Sequence, residues 1–214
     1  MKNQNKTIWL FVILVVVLPF LAFTIVSWYT LVFEKLPVYG EAKKIEGKSK
    51  EHSIADFALT NQDGGITTPA AWSNKIVVAN FFFTRCPSIC PKMMINMKKV
   101  EEHFRSDPEI LFNSFSVDPE NDSVERLKSY ASLLNINTSN WGLLTGDKKE
   151  IYKLARNSFL VVATNGDGGP TDFIHSDKLI LIDKQKRIRG YYDGTNEKEV
   201  SNLIHDIKKL KNEN

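Results

Sequence analysis

The strongest constraint on the fold is the stretch KIVVANFFFTRCPSICPK, residues 75 to 92, in which the hydrophobic pattern changes period within a few positions. KIVVANFFFT is a continuous apolar run rich in β-branched and aromatic side chains, as expected of a central strand covered on both faces. Beyond it, Met93, Met97, Val100 and Phe104 recur at helical spacing, which places them on one face of a helix from about Ser88 to Arg105. Cys86 and Cys90 are the only cysteines in the chain, and both fall at this junction of strand and helix.

The remaining segments extend the pattern. IADFALTNQDGGITT alternates and breaks at Asp63-Gly64-Gly65, a hairpin signal. ILFNSFSVDP reads as a second buried strand ended by Asp118-Pro119, and DSVERLKSYASLLN as a helix capped by Asp122 or Ser123. KKEIYKLARNSF is a further helix, followed by a loop with Gly166, Gly168, Gly169 and Pro170. DKLILID and RIRGYYD flank a turn around Lys184 to Lys186, and EKEVSNLIHDIKKL is a closing amphipathic helix. The order β, α, β, α, α, β, β, α places a parallel βαβ unit before an antiparallel hairpin, which predicts an α/β, thioredoxin-like fold for residues 52–214.

Ahead of that domain, residues 8–33 run for 26 positions without a charge, more than the roughly 20 needed to cross a bilayer as a helix. Trp9 near one end and Trp28 and Tyr29 near the other suit the headgroup region, and Pro19 suits a kinked membrane helix. The run is too long for the core of a cleaved signal and is followed by no small-x-small site. It is read as an uncleaved anchor after a cytoplasmic stub, residues 1–7, with the domain on the extracytoplasmic side of the cytoplasmic membrane. Residues 34–51 are lysine-rich and hold Pro37, Gly40 and Gly47, so they read as a flexible tether. Beyond the anchor, 26 basic side chains face 25 acidic ones, and no basic cluster is interleaved with aromatics, so no nucleic-acid partner is expected.

Cysteines four apart at a helix start lie roughly 6 Å apart at Cβ, close enough to meet one ion or each other. Helix-start amides favour thiolate over thiol, which strengthens both a nucleophile and a metal ligand. A structural disulfide, a redox pair and a metal clip are all open on spacing alone, although a staple across so few residues stabilises little. Soft thiolates select Cu(I) or zinc, and a two-thiolate clip recruits a third ligand. His52 belongs to the tether, and His103 and His205 sit beside the apolar stripes of their helices, so these three read as solvated. Met93 and Met97 read as core, and Met94 has no assigned role. His175 differs, because FIHSDKLILID puts it at the end of the glycine-rich loop and before a buried strand, near the active helix start of a thioredoxin-like sheet.

Taken together, FALTNQDG, NFFFTRCPSICP, SFSVDPENDS, WGLLTG with IYKLARNSF, and FIHSDKLILID resemble the Sco/SenC copper proteins. The resemblance implies a membrane-tethered thioredoxin-like domain that helps assemble the copper centre of cytochrome c oxidase. It implies copper ligands at Cys86, Cys90 and His175, with Cu(I) as the bound ion and Cu(II) left open. The implied partners are the oxidase's copper-bearing subunit and an upstream copper donor. The expectation is therefore a metallochaperone and not an enzyme in the usual sense, with a membrane-tethered thiol–disulfide reductase cycling Cys86 and Cys90 as the alternative. Ser88 stands where the family often carries an acid after the first proline of the motif.

Overall fold

The computed structural model describes residues 6, 9–33, 35–45, 48–162, 174 and 176–213. The chain divides into two units, Met1–Lys35 and Leu36–Asn214. In the first, residues 9–33 are helical. Trp9–Ser27 are apolar over a length sufficient to cross a membrane, with a mean hydropathy of 2.9 and no residue of that window buried. Its helix α1, Leu18–Phe33, follows a π-helical turn over Ile13–Val17. Pro19 has no amide proton and its ring crowds the preceding turn, and the wider π register directly before it relieves that crowding.

Among the described residues, the second unit is built on nine strands. They are β1 (Lys43–Ile45), β2 (Lys48–Lys50), β3 (Leu59–Asn61), β4 (Ile66–Thr67), β5 (Ile76–Phe82), β6 (Ile110–Ser116), β7 (Trp141–Thr145), β8 (Lys178–Ile182) and β9 (Ile188–Asp193). The helices are α2 (Ile89–Phe104), α3 (Val124–Leu133), α4 (Lys148–Lys153), which continues as a π turn over Leu154–Ser158, and α5 (Glu197–Asn212). Strands β3 to β9 form one sheet in the order β4-β3-β7-β6-β5-β8-β9. β5, β6 and β7 run parallel, and β8 and β9 continue the sheet antiparallel, which is the thioredoxin-like arrangement expected of the sequence. β7 was not among the expected strands. Five residues that include Gly142 are too short to show a period, yet β7 is the link that joins β6 to the entry hairpin's β3.

β5 is buried throughout, and its alternate side chains serve two cores. Ile76, Val78 and Phe82 meet Met93, Met97 and Val100 of α2 and Leu203 and Ile207 of α5 on one face. Val77, Ala79 and Phe81 meet Phe57, Trp72, Phe115 and Phe159 on the other. Burial of each such Val, Leu, Ile, Met or Phe side chain contributes roughly 1.5–3 kcal/mol, and the first face holds α2 against the end of β5. Met94 is also core, at 1% exposed, and its sulfur accepts from Asn80 Nδ2 at 3.5 Å.

Within the expected flexible tether, residues 36–45 and 48–50 carry structure of their own. Tyr39 bridges to Ile188, and β1 pairs with β2. Arg189, 4% exposed, donates to the carbonyls of Leu36 (2.6 Å) and Pro37 (3.0 Å) and to Asp183 (3.1 Å) and Glu213 (2.5 Å). Glu213 in turn accepts from the Leu36 amide at 2.7 Å. A buried guanidinium needs acceptors for its donors, and here the two ends of the domain supply them together with Asp183 of the turn between β8 and β9. Because β8 runs antiparallel to β5, this clasp lies at the end of the sheet opposite the cysteines, about 20 Å away by the length of a seven-residue strand.

Replacing Arg189 with alanine takes the donor from the Leu36 and Pro37 carbonyls and one of two guanidinium partners from buried Asp183, which keeps Arg187 at 2.8 Å, and is expected to lower stability by about 1–3 kcal/mol, read from the urea midpoint at unchanged slope. Starting the chain at His52 removes the Leu36 and Pro37 carbonyls and is expected to give a loss of the same kind. Glu101 of α2 supplies a pH signature. Burial pushes its carboxyl upward, but donors from Arg105, Asn137 and Asn140 outweigh burial and hold it below the ordinary 4.5. Its contribution is therefore complete above the ordinary value and lost as pH falls through the lower folded one. Glu101→Gln is expected to be less stable than the parent at neutral pH, with the gap closing on acidification in a pH series of melts.

Candidate metal and redox centre

The site grows from the end of β5. After Phe83 the chain turns, with the Cys86 amide donating to the Phe83 carbonyl at 3.3 Å, and α2 begins at Ile89. Ser88 occupies the cap position but its side chain makes no capping bond. The sulfur of Cys86 supplies one instead, accepting from the Cys90 amide at 3.4 Å. Pro91 follows in the first turn, where its missing amide proton costs no helical bond. Both cysteines are free thiols.

Four residues apart, the two thiols have different surroundings. Partial burial pushes the Cys86 thiol upward, but the backbone amides of Ser88, Cys90 and Ile89, with the Cys90 thiol, outweigh it and leave the group below its ordinary value. Cys90 is 5% exposed, and burial, aided by its neighbour's charge, pushes it up to about 12. Cys86 is thus the more acidic, accessible sulfur, and Cys90 the protected one.

A cavity of about 550 Å³ opens beside the pair, lined by Phe83, Cys86, Cys90, Ile174, Ser176 and Asp177 among others. His175 itself lies outside the described residues; its neighbours on both sides, Ile174 and Ser176, line the same cavity as the two sulfurs. Among the described residues, no three His, Cys, Asp or Glu side chains are grouped to hold a metal.

The other histidines divide. His103 and His205 are exposed, as their helix positions imply, and His103 sits edge-on to Phe104 with ring centroids 4.9 Å apart. His52, expected to be solvated, is half-buried, with Nε2 2.7 Å from the Ser158 carbonyl, because the segment that carries it packs on the domain. Two neighbours of the cysteines have partners that the sequence does not assign. Arg85 pairs with Asp118 at 3.0 Å. Tyr130 packs over Phe82 with ring centroids 5.6 Å apart, and its hydroxyl is pushed up to about 12 by burial and by the charges of Cys90 and Cys86. Position four from the end of a helix carries no signal for such a contact, whereas an acid directly after a buried strand, as at Asp118, does.

The arrangement has known counterparts. A family model described as SCO1/SenC matches residues 45–212. A SCO1 protein homolog of Bacillus subtilis (strain 168) is 29% identical over 159 residues, which cover 73% of this chain and 82% of the relative. The solved structure of BsSco, described as a member of the Sco family of cytochrome c oxidase assembly proteins with a disulfide switch, is 28% identical with a TM-score of 0.66, covering 76% of this chain and 95% of that one. Bradyrhizobium japonicum ScoI, solved with copper bound, is 25% identical with a TM-score of 0.58, covering 72% of this chain and 98% of that one. A thioredoxin-like sheet, a C-x-x-x-C pair at the start of its helix and a family match over most of the chain converge, and this protein belongs to the SCO1/SenC family.

Proposed function

We propose that this protein is a membrane-anchored copper chaperone that takes up Cu(I) through Cys86, Cys90 and His175 and delivers it to the copper-bearing subunit of a cytochrome c oxidase during assembly. Residues 8–33 serve as the anchor, residues 1–7 as a cytoplasmic stub, and the folded domain lies on the extracytoplasmic side. A donor protein upstream supplies the ion. The observation that carries this reading is the pairing of an amide-bonded, accessible sulfur with a buried one, in a cavity lined by both sequence neighbours of His175.

Two thiolates and an imidazole form a soft, low-coordinate set suited to Cu(I). Cys90 is held by the first turn of α2, which is packed into the core and keeps one ligand fixed. Cys86 stands on the turn before the helix, partly open to solvent, so a recipient's thiolate or imidazole can approach from that side and share the ion before taking it. Anchoring raises the effective concentration of the domain near a membrane-bound recipient.

The asymmetry of the thiols also supports a second reading, a thiol–disulfide reductase for the recipient's cysteines. The Cys86 thiolate would attack a recipient disulfide to form a mixed disulfide. Cys90 would then resolve it, the pair giving two electrons and ending oxidised while the recipient leaves as its dithiol. His175 has no part in that exchange.

Titration of the chain in detergent with Cu(I) against a competing chelator separates the readings. Cys86→Ala and Cys90→Ala are expected to weaken binding by about 100-fold or more, beyond the 10–100-fold typical of changes outside the coordination shell, and His175→Ala by about tenfold or more. If His175→Ala binds as tightly as the parent while dithiol reductase activity is intact, the redox reading replaces the chaperone one. Sidedness has its own test: a membrane-impermeant maleimide is expected to label Cys86 in intact spheroplasts, and labelling only after lysis would place the domain in the cytoplasm.

A further inference from the structure

Asp122 was one of two candidates for the cap of α3, but Ser123 takes that place, its hydroxyl accepting from the Arg126 amide. Asp122 is instead fully buried, at 0% exposed. Its carboxylate accepts from the Thr84 amide (3.1 Å), the Thr84 hydroxyl (2.6 Å) and the Ser116 hydroxyl (2.5 Å). A buried carboxylate is tolerated only when donors meet its lone pairs, and here most of those donors belong to the loop that leads into Cys86.

The surrounding bonds act in the same direction. Arg126 Nε donates to the Thr84 hydroxyl at 3.1 Å, which orients that hydroxyl to donate its own proton to Asp122. Arg85 pairs with Asp118, whose amide donates to the Ser116 hydroxyl at 3.1 Å. Asp118 also closes the turn, its carbonyl accepting from the amides of Asn121 and Asp122. The loop after β6 thus grips Thr84 and Arg85, the two residues directly before Cys86, while α2 holds Cys90 from the other side. SVDPENDS, which makes no contact of its own with the sulfurs among those described, thus holds the two residues that lead into Cys86.

We infer that Asp122 is a positioning residue for the cysteine pair, fixing the Cys86 sulfur against the first amides of α2 through Thr84. This rests on the reading of Cys86 and Cys90 as the working pair and goes beyond it by naming what sets their separation. Without the carboxylate, the Thr84 amide and hydroxyl lose their acceptor. The loop then relaxes, and the sulfur no longer sits opposite the Cys90 amide.

The test uses the chain in detergent and two separate readouts, Cu(I) affinity and the dithiol–disulfide equilibrium of Cys86 and Cys90 in dithiothreitol buffers without copper. In the second, the two thiols give two electrons and two protons to oxidised dithiothreitol, which leaves as its dithiol. Asp122→Asn, with fold checked by circular dichroism, is expected to weaken Cu(I) binding by about 10–100-fold, as loss of an outer-shell support does. It is expected to shift the thiol equilibrium toward the disulfide by about tenfold, or about 30 mV, because the reduced sulfur loses its amide donor. Thr84→Ser keeps both donors and is expected to match the parent, whereas Thr84→Val lacks the hydroxyl and is expected to change in the same direction as Asp122→Asn. A folded Asp122→Asn with parental affinity and parental equilibrium overturns the inference. If Asp122→Asn does not fold, equal behaviour of Thr84→Val and Thr84→Ser in both readouts overturns it. A parent that binds no Cu(I) sinks the copper reading alone, and the thiol equilibrium then decides the role of Asp122.

Discussion

A helix that starts at the end of a buried strand has amide protons with no partner within the helix, and in this protein a sulfur accepts one of them. Ser88 could serve as a cap by residue type, but its side chain makes no such bond, and Cys86 accepts the Cys90 amide instead. The contact lets the fold and the chemistry depend on each other. The helix start favours charge on the sulfur, and the sulfur completes the helix start. The same geometry separates the two thiols into an accessible, more acidic one and a buried one whose ionisation is opposed by its surroundings.

That contact requires β5 to end at a defined point and α2 to begin at another, and the two cores secure both. β5 is paired on each side, with β6 parallel and β8 antiparallel, so it cannot slide without disturbing two ladders. α2 is held by Met93, Met97 and Val100 on its apolar side and by polar contacts beneath. Asn80 bridges Met94 and Ser114, and Ser114 also accepts from Trp141 of β7 at 2.9 Å. A satisfied polar network of this kind rigidifies the core where an incomplete one would weaken it. At the far end of the sheet, the Arg189 clasp joins the first and last residues of the domain.

Much of this was legible in the order of residues. The seven buried positions of β5, the apolar face of α2 and the hairpin at Asp63-Gly64-Gly65 each follow from one local rule, and each is present. The hairpin also shows its mechanism, since Gly64 has a φ of +81° and the Asn61 side chain accepts from the amides of Asp63 and Gly65. Features that depend on pairing between distant segments were not legible. β7 is too short to show a period of its own, and residues 36–50 look like a lysine-rich spacer until Arg189, more than 150 positions later, takes up the carbonyls of Leu36 and Pro37. Asp122 reads equally well as a helix cap, and only the approach of Thr84 from another strand's end turns it inward.

The sequence by itself determined that a strand, two cysteines and an amphipathic helix follow in direct succession, and that an uncharged run precedes the domain, because periodicity and burial are local properties of the chain. Only the tertiary structure decided which sulfur is the more accessible, which carboxylate accepts from the loop before it, and that Ile174 and Ser176 line the cavity beside the pair. These depend on the register of parallel strands, which brings together residues from loops far apart in the chain and which side-chain spacing within one segment does not encode.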